Sequence, residues 1–237
     1  MNLSAPVFQL KRRAKLIARD SGVPLHEALD RIAREEGFER WSLLSAKSSV
    51  VPQADEMLPR LRNGEMLLIA GRPGHGKTML GLRLLLEAAR EARKSVLFTL
   101  ELTEHQARAS IRALANVNPG NSEAIEIVTS DEISGDFVVK HLTGQASGAV
   151  AVIDYLQLLD QQRSKPTLAE QVRVLGKFAR ESGVVLGFIS QIDRSFDPQK
   201  KRLPDVRDIR LPNHVDMNLF TKACFMHDGE VRLQQMT

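Results

Sequence analysis

One octapeptide constrains this chain more than anything else in it. Gly71-Arg72-Pro73-Gly74-His75-Gly76-Lys77-Thr78 has the spacing G-x-x-x-x-G-K-[ST]. An apolar run, Met66-Leu67-Leu68-Ile69-Ala70, enters it, and a leucine-rich stretch from Thr78 to Ala92 leaves it. A strand, a glycine turn and a helix in that order build an anion site. Gly71, Gly74 and Gly76 let backbone N–H groups turn inward around a phosphate. The helix that follows points the positive end of its dipole at the same place. Lys77 then reaches the β- and γ-phosphates, and the Thr78 hydroxyl is placed to ligand Mg²⁺. His75 is an uncommon residue inside such a loop, either a spacer or a nucleotide contact. Arg72 and Pro73 fill the remaining loop positions.

Three further positions acquire meaning once a phosphate loop is in place. Val150 to Ile153 reads as a buried strand, and Asp154 ends it where a P-loop protein needs a carboxylate to hold Mg²⁺ through water or Thr78. Glu101 follows the apolar run 95–100, at the carboxyl edge of the predicted sheet, where ligands bind in such folds. It is either the group that polarises the attacking water or a charge near a helix start capped by Thr103. Gln191 follows the run 184–190; it is either a γ-phosphate sensor or a solvent-facing turn residue.

The rest of the chain fits one α/β domain with a small extra module. Its 237 residues and 43% apolar content suit a globular core. No run of about 18 apolar residues occurs, and Met1 to Leu10 lack a signal-peptide pattern, so no membrane association is expected. The single cysteine, Cys224, rules out an internal disulfide and suits a reducing cytoplasm. The six histidines show no ligand-like spacing, which argues against a protein-held zinc. A net charge of +4 permits a nucleic-acid partner without requiring one.

Residues 1–47 read as a helical module. Leu10, Ala14, Leu16, Ile17 and Ala18 are expected on one broad face. Ser21-Gly22-Val23-Pro24 breaks that helix, a second runs over 25–36, and a short third carries Trp41, Leu43 and Leu44. Residues 48–57 read as a linker. From Leu58 strands alternate with helices: strands 66–70, 96–100, 125–128, 150–153 and 184–190, and helices 78–92, 103–115 and 168–182. This alternation predicts a mostly parallel sheet covered on both faces. Asp228-Gly229 between apolar runs predicts a C-terminal hairpin.

Several segments resemble the C-terminal domain of DnaB-type replicative helicases. Phe98-Thr99-Leu100-Glu101-Leu102 resembles the stretch bearing that family's catalytic glutamate. Val152-Ile153-Asp154-Tyr155-Leu156-Gln157-Leu158-Leu159 is similar to its Walker B segment. Ile189-Ser190-Gln191-Ile192-Asp193-Arg194-Ser195 resembles its serine–glutamine motif, and Asp205-Val206-Arg207-Asp208-Ile209-Arg210 the channel-facing stretch beyond it. The resemblance spans residues 58–237, with the motifs in order. It implies a RecA-like core, ATP and Mg²⁺ as cofactors, assembly into a ring (usually a hexamer), and single-stranded DNA in the channel.

Carried over residue by residue, Lys77 and Thr78 hold phosphates and Mg²⁺, Glu101 activates water, Asp154 supports Mg²⁺ and Gln191 senses the γ-phosphate. The family's lysine-x-arginine pair, which acts on the neighbouring subunit's ATP, is matched to Lys222-Ala223-Cys224, with cysteine in the arginine position. Lys222 alone would act as a point charge. Against the family's pattern the tail reads as shortened by roughly one strand. Leu10 to Lys47, in place of the family's N-terminal domain, resembles a short helical module attached to assorted bacterial proteins. Its Lys11-Arg12-Arg13-Ala14-Lys15 is either a phosphate contact or a solvated face.

The segment from Arg194 to Arg210 carries Arg194, Lys200, Lys201, Arg202, Arg207 and Arg210 against Asp197, Asp205 and Asp208. Interrupted by prolines, it is expected to be a mobile loop that tracks a DNA backbone, or else a solvated surface loop. Phe196 is its only aromatic residue for base stacking. Three functions compete: a DNA helicase or translocase of the DnaB type; a slow RecA- or KaiC-like ATPase switch or loader with a protein partner on residues 1–47; and a small-molecule kinase. The last lacks a lid with paired arginines. The Cys224 departure favours the second.

Overall fold

The structure, a computed structural model, describes residues 4–5, 7–41, 44, 57–115, 120–145, 147–160, 165–210, 213 and 215–236. The expected linker lies outside these residues except for Met57, as does Leu43 of the expected third helix. The chain divides into two compact units, Met1–Val51 with Asp228–Glu230, and Pro52–His227 with Val231–Thr237.

The first unit is helical. Helix α1 (Val7–Ser21) and helix α2 (Leu25–Glu35) bury Leu10, Ala14, Ala28, Ile32 and Ala33 together with Leu44. Gly22, at φ 66°, follows the end of α1, and Pro24, at φ −57° and ψ 143°, stands at the cap of α2. Trp41 packs against this core while its backbone N–H donates to Asp30 Oδ1 at 2.8 Å. Leu16 departs from the expected apolar face and is 52% exposed. At about 100° per residue it lies some 120° around the helix from Leu10. Lys11, Arg12 and Lys15 are exposed.

In the second unit, β1 (Met66–Gly71) leads through the glycine loop into α3 (Lys77–Arg90). Then follow β2 (Ser95–Thr99), α4 (Glu104–Ala115), the short α5 (Gly120–Glu123), β3 (Ile125–Val128), α6 (Gly135–Leu142), β4 (Val150–Asp154), α7 (Leu168–Ser182) and β5 (Val185–Gln191). The hairpin β6 (Lys222–His227) and β7 (Glu230–Gln235) closes the unit. Sequence periodicity missed α5 and α6, which are too short to show a helical repeat. Ahead of the hairpin, Met217–Leu219 is a 3₁₀ turn capped by Asp216, and β6 starts at Lys222.

The sheet order is β3-β2-β4-β5-β1-β6-β7. All pairings from β3 through β6 are parallel. β7 folds back on β6 through Asp228 and Gly229, both at positive φ, and Met236 N–H bonds the Thr221 carbonyl at 2.8 Å beyond the strand ends. Alternation along the strands divides two cores. Met66, Leu68, Ala70, Phe98, Ile153 and Phe188 join a cluster with Val138 and Leu142 of α6 and Val172 and Leu175 of α7. On the opposite face, Val152 and Ile189 meet α3. A Cβ on Gly81 of that helix would lie 3.0 Å from Val152 Cγ1 and 3.1 Å from Ile189 Cδ1, so glycine lets α3 approach this closely. Helices thus cover both faces of a mostly parallel sheet, as the alternation of elements predicts.

Candidate functional site

Parallel register brings the chemistry to one edge. Thr99 pairs with Asp154, Asp154 with Ile189, and Gly71 with Gln191, so β2, β4, β5 and β1 all end at the same side of the sheet. A βαβ crossover returns each strand in the same direction, so residues far apart in sequence share that edge.

The glycine loop holds the shape its sequence implies. Gly74 and Gly76 take φ of 83° and 85°, a region that an L side chain strains to occupy. Lys77 opens α3 and is buried, with its ammonium donating to the Arg72 carbonyl at 3.1 Å. Burial lowers its pKa, against the attraction of Asp154 and Glu101. Next along α3, Thr78 Oγ1 donates to Asp154 Oδ2 at 2.9 Å. Asp154 is fully buried, and burial raises its pKa from 3.8 to about 6. The Thr78 bond and Lys77 pull it down, while Glu101 pushes it up. Asp154 Oδ1 is buried with no hydrogen-bond partner among the described residues. A hydroxyl and a carboxylate with an oxygen to spare form a hard-oxygen donor set that fits Mg²⁺.

Glu101 lies two residues beyond β2 and is exposed, its N–H bonded to Thr99 Oγ1 at 3.1 Å. Its charge acts on both Lys77 and Asp154. Thr103 does cap α4, in a reciprocal pair with Gln106: the Gln106 N–H bonds Thr103 Oγ1 at 3.2 Å, and the Thr103 N–H bonds Gln106 Oε1 at 3.0 Å. The two readings of Glu101 are therefore compatible. Gln191 is half-buried at the end of β5, beside Gly71.

Lys222 is not brought to this edge. It pairs with Leu67, whereas Met226 pairs with Gly71, so Lys222 lies four strand positions, roughly 13 Å, toward the opposite edge. Its ammonium bonds Glu65 and the Arg60 carbonyl. Cys224 is fully buried inside β6, where desolvation pushes its thiol up to about 12. The member of β6 that reaches the site is His227, 8% exposed, its ring stacked on His75 at 5.1 Å. Spacing along the chain gives no sign of that pair.

The basic segment is folded rather than a bare loop. Ile192 bridges Ile209, Asp205 and Asp208 form a reciprocal cap, and Phe196, Leu203 and Ile209 are buried. Phe196 is 3% exposed, packed under the Arg72 guanidinium and edge-on to His227, so its face is not open to a base. Lys201 pairs with both Asp205 and Asp208. Arg194, Lys200, Arg202, Arg207 and Arg210 have exposed side chains. Gln157, unremarked in the Walker B-like segment, donates to the Arg210 carbonyl at 2.6 Å and ties that segment to the end of the basic one.

A glycine loop entering a helix, a buried aspartate on its threonine and a glutamate beside both, at the edge of a parallel sheet, define a P-loop domain of RecA-like architecture. Residues 48–134 match the family described as the DnaB-like helicase C terminal domain. The chain is 25% identical over 228 residues to the replicative DNA helicase DnaB of Mycoplasma pneumoniae, covering 78% of this chain and 48% of that protein. It is 24% identical over 208 residues to DnaB of Geobacillus stearothermophilus, covering 74% and 46%. The chain thus spans about half the length of these curated relatives. Two solved structures share the fold. One, described as an ATPase domain, superposes with a TM-score of 0.57 at 20% identity, over 85% of this chain and 82% of that one. The other, a DnaB-like replicative helicase described with its interactions with primase, gives 0.57 at 19%, over 92% and 66%. The α/β domain is thus similar to the DnaB-like helicase C terminal domain over residues 48–134. Among the described residues, no helix is long and apolar enough to cross a membrane.

Proposed function

We propose that this chain is an ATP-dependent DNA translocase or helicase subunit of the DnaB type, hydrolysing ATP with Mg²⁺ and binding single-stranded DNA. The observation that carries this reading is the buried Thr78–Asp154 pair behind the phosphate loop, with Asp154 Oδ1 left over and Glu101 within electrostatic reach. The loop N–H groups and Lys77 bind the triphosphate, and Thr78 and Asp154 hold Mg²⁺, which neutralises phosphate charge when bound. Glu101, exposed where water can reach it, accepts the proton of the attacking water. Gln191, on the strand beside Gly71, contacts the γ-phosphate end. Arg194, Lys200, Arg202, Arg207 and Arg210 approach DNA phosphates; Lys201 instead serves its two aspartates.

One observation favours a second reading, the slow switch or loader that works through a protein partner on residues 1–47. The stretch matched to the family's trans-acting cations is committed elsewhere, Lys222 to Glu65 and Cys224 to the core. An arginine finger is worth about 10³–10⁵ in rate, so a ring lacking one would turn over slowly. Steady-state ATPase with and without single-stranded DNA, at low and moderate salt, separates the two. Stimulation that fades with salt supports the motor. A slow rate indifferent to DNA supports the switch, and a rate unaltered by Lys77→Ala removes both.

A further inference from the structure

The basic segment and the phosphate loop meet in one side chain. Arg72 donates from its guanidinium to the carbonyl of Arg194 at 3.2 Å and to the carbonyl of Phe196, and the same group lies 5.3 Å from the Phe196 ring centroid. Its own carbonyl accepts from Lys77 Nζ at 3.1 Å and from the His75 N–H at 3.2 Å. A second, indirect grip lies alongside: Phe196 meets the His227 ring edge-on at 5.2 Å, and His227 stacks on His75 of the loop. The start of the segment is thus held by two residues of the phosphate loop. Its end is held differently, by the Gln157 bond to the Arg210 carbonyl and the Arg210 N–H bond to the Gln191 carbonyl. Between the anchors lie the exposed Lys200 and Arg202.

We propose that Arg72 is the joint through which nucleotide occupancy sets the position of the basic segment: phosphate binding loosens the grip on Arg194 and Phe196 and releases the stretch carrying Lys200 and Arg202. The inference rests on reading the loop as a nucleotide site. Its physical basis is competition. Lys77 cannot serve a phosphate with the ammonium aimed at the Arg72 carbonyl without loosening that bond. The Arg72 guanidinium donates to two neutral carbonyls, whereas bonds to a charged phosphate oxygen are roughly twice as strong. Both changes fall on residue 72: the first frees its backbone, and the second draws its guanidinium off the segment. Arg72 thus acts on the segment by exchanging its two carbonyl partners for phosphate oxygen.

Limited trypsin digestion of the full chain, with cleavage after Lys200 and Arg202 followed by mass spectrometry, tests this with and without Mg²⁺ and adenylyl imidodiphosphate. A fluorescent ATP analogue reports binding in parallel. Cleavage of the wild type should rise about tenfold with nucleotide, the effect of losing one charge-assisted hydrogen-bonded anchor from an equilibrium between held and open segment. Arg72→Met should cleave fast in both conditions. Phe196→Leu, which keeps the carbonyl bonds and the apolar burial, should bind nucleotide normally and give a smaller ratio; it also serves if Arg72→Met does not fold. Nucleotide that binds but leaves wild-type cleavage unchanged or slower overturns the joint alone, as does a full response in Arg72→Met. Absence of nucleotide binding overturns the site on which it rests.

Discussion

Replacing Asp154 with Asn should stabilise the metal-free protein above pH 6 while removing its Mg²⁺ ligand. Asp154 is fully buried, and its pKa rises from 3.8 to about 6, chiefly through that burial. A raised value for an acid means that the folded state holds the proton more tightly than the unfolded chain. The ionised group therefore opposes folding above about pH 6, and this cost fades as pH falls through 6 toward 3.8 and vanishes below it. At about 1.4 kcal/mol per pH unit, the rise from 3.8 to about 6 amounts to about 3 kcal/mol. Asn keeps an oxygen for the Thr78 hydroxyl, and its NH₂ occupies the place of Oδ1, which already lacks a partner among the described residues.

For a chain of this size each kcal/mol moves Tm by about 2–4 °C. Asp154→Asn should therefore melt about 6–12 °C above the wild type at pH 8 in EDTA, and the two should converge near pH 4. Calorimetric melts across that range measure it. Taking the difference between the proteins removes other titrating groups, such as Glu126, whose pKa is held down by Lys94 and which loses stabilisation on acidification. A difference that is the same at pH 8 and pH 4, or an Asn variant that melts lower at pH 8, would refute the reasoning.

Glu101→Gln should bind nucleotide as the wild type does but lose turnover by about 10²–10⁴, the usual contribution of a general base; single-turnover hydrolysis at the wild-type rate would place the base elsewhere. Lys222→Met should cost about 1–3 kcal/mol by leaving the Glu65 carboxylate, 15% exposed, with the Arg62 N–H as its remaining partner, while ATPase per folded molecule stays unchanged. A lost ATPase with intact stability would return Lys222 to the chemistry.

Local pattern was enough to read the loop from Gly71 to Thr78, the strand ending in Asp154 and the parallel α/β class. Each rests on near neighbours in the chain: glycines at fixed offsets, an apolar run of strand length, a change of period from two to 3.6. The order of the motifs was legible in the same way, and the DnaB relatives bear out the resemblance it carried. Register was not legible. Lys222 and His227 both belong to β6, and only the pairing of Lys222 with Leu67 and Met226 with Gly71 shows which end of that strand reaches the site. The grip of Arg72 on Arg194 and Phe196, the stack of His75 on His227 and the ties on Lys201 are likewise invisible along the chain. Most of these join residues that crossover connections bring to one sheet edge from distant parts of the chain. Composition and periodicity report which face a side chain takes within its own element; which elements lie beside it is settled only when the sheet closes its strand order.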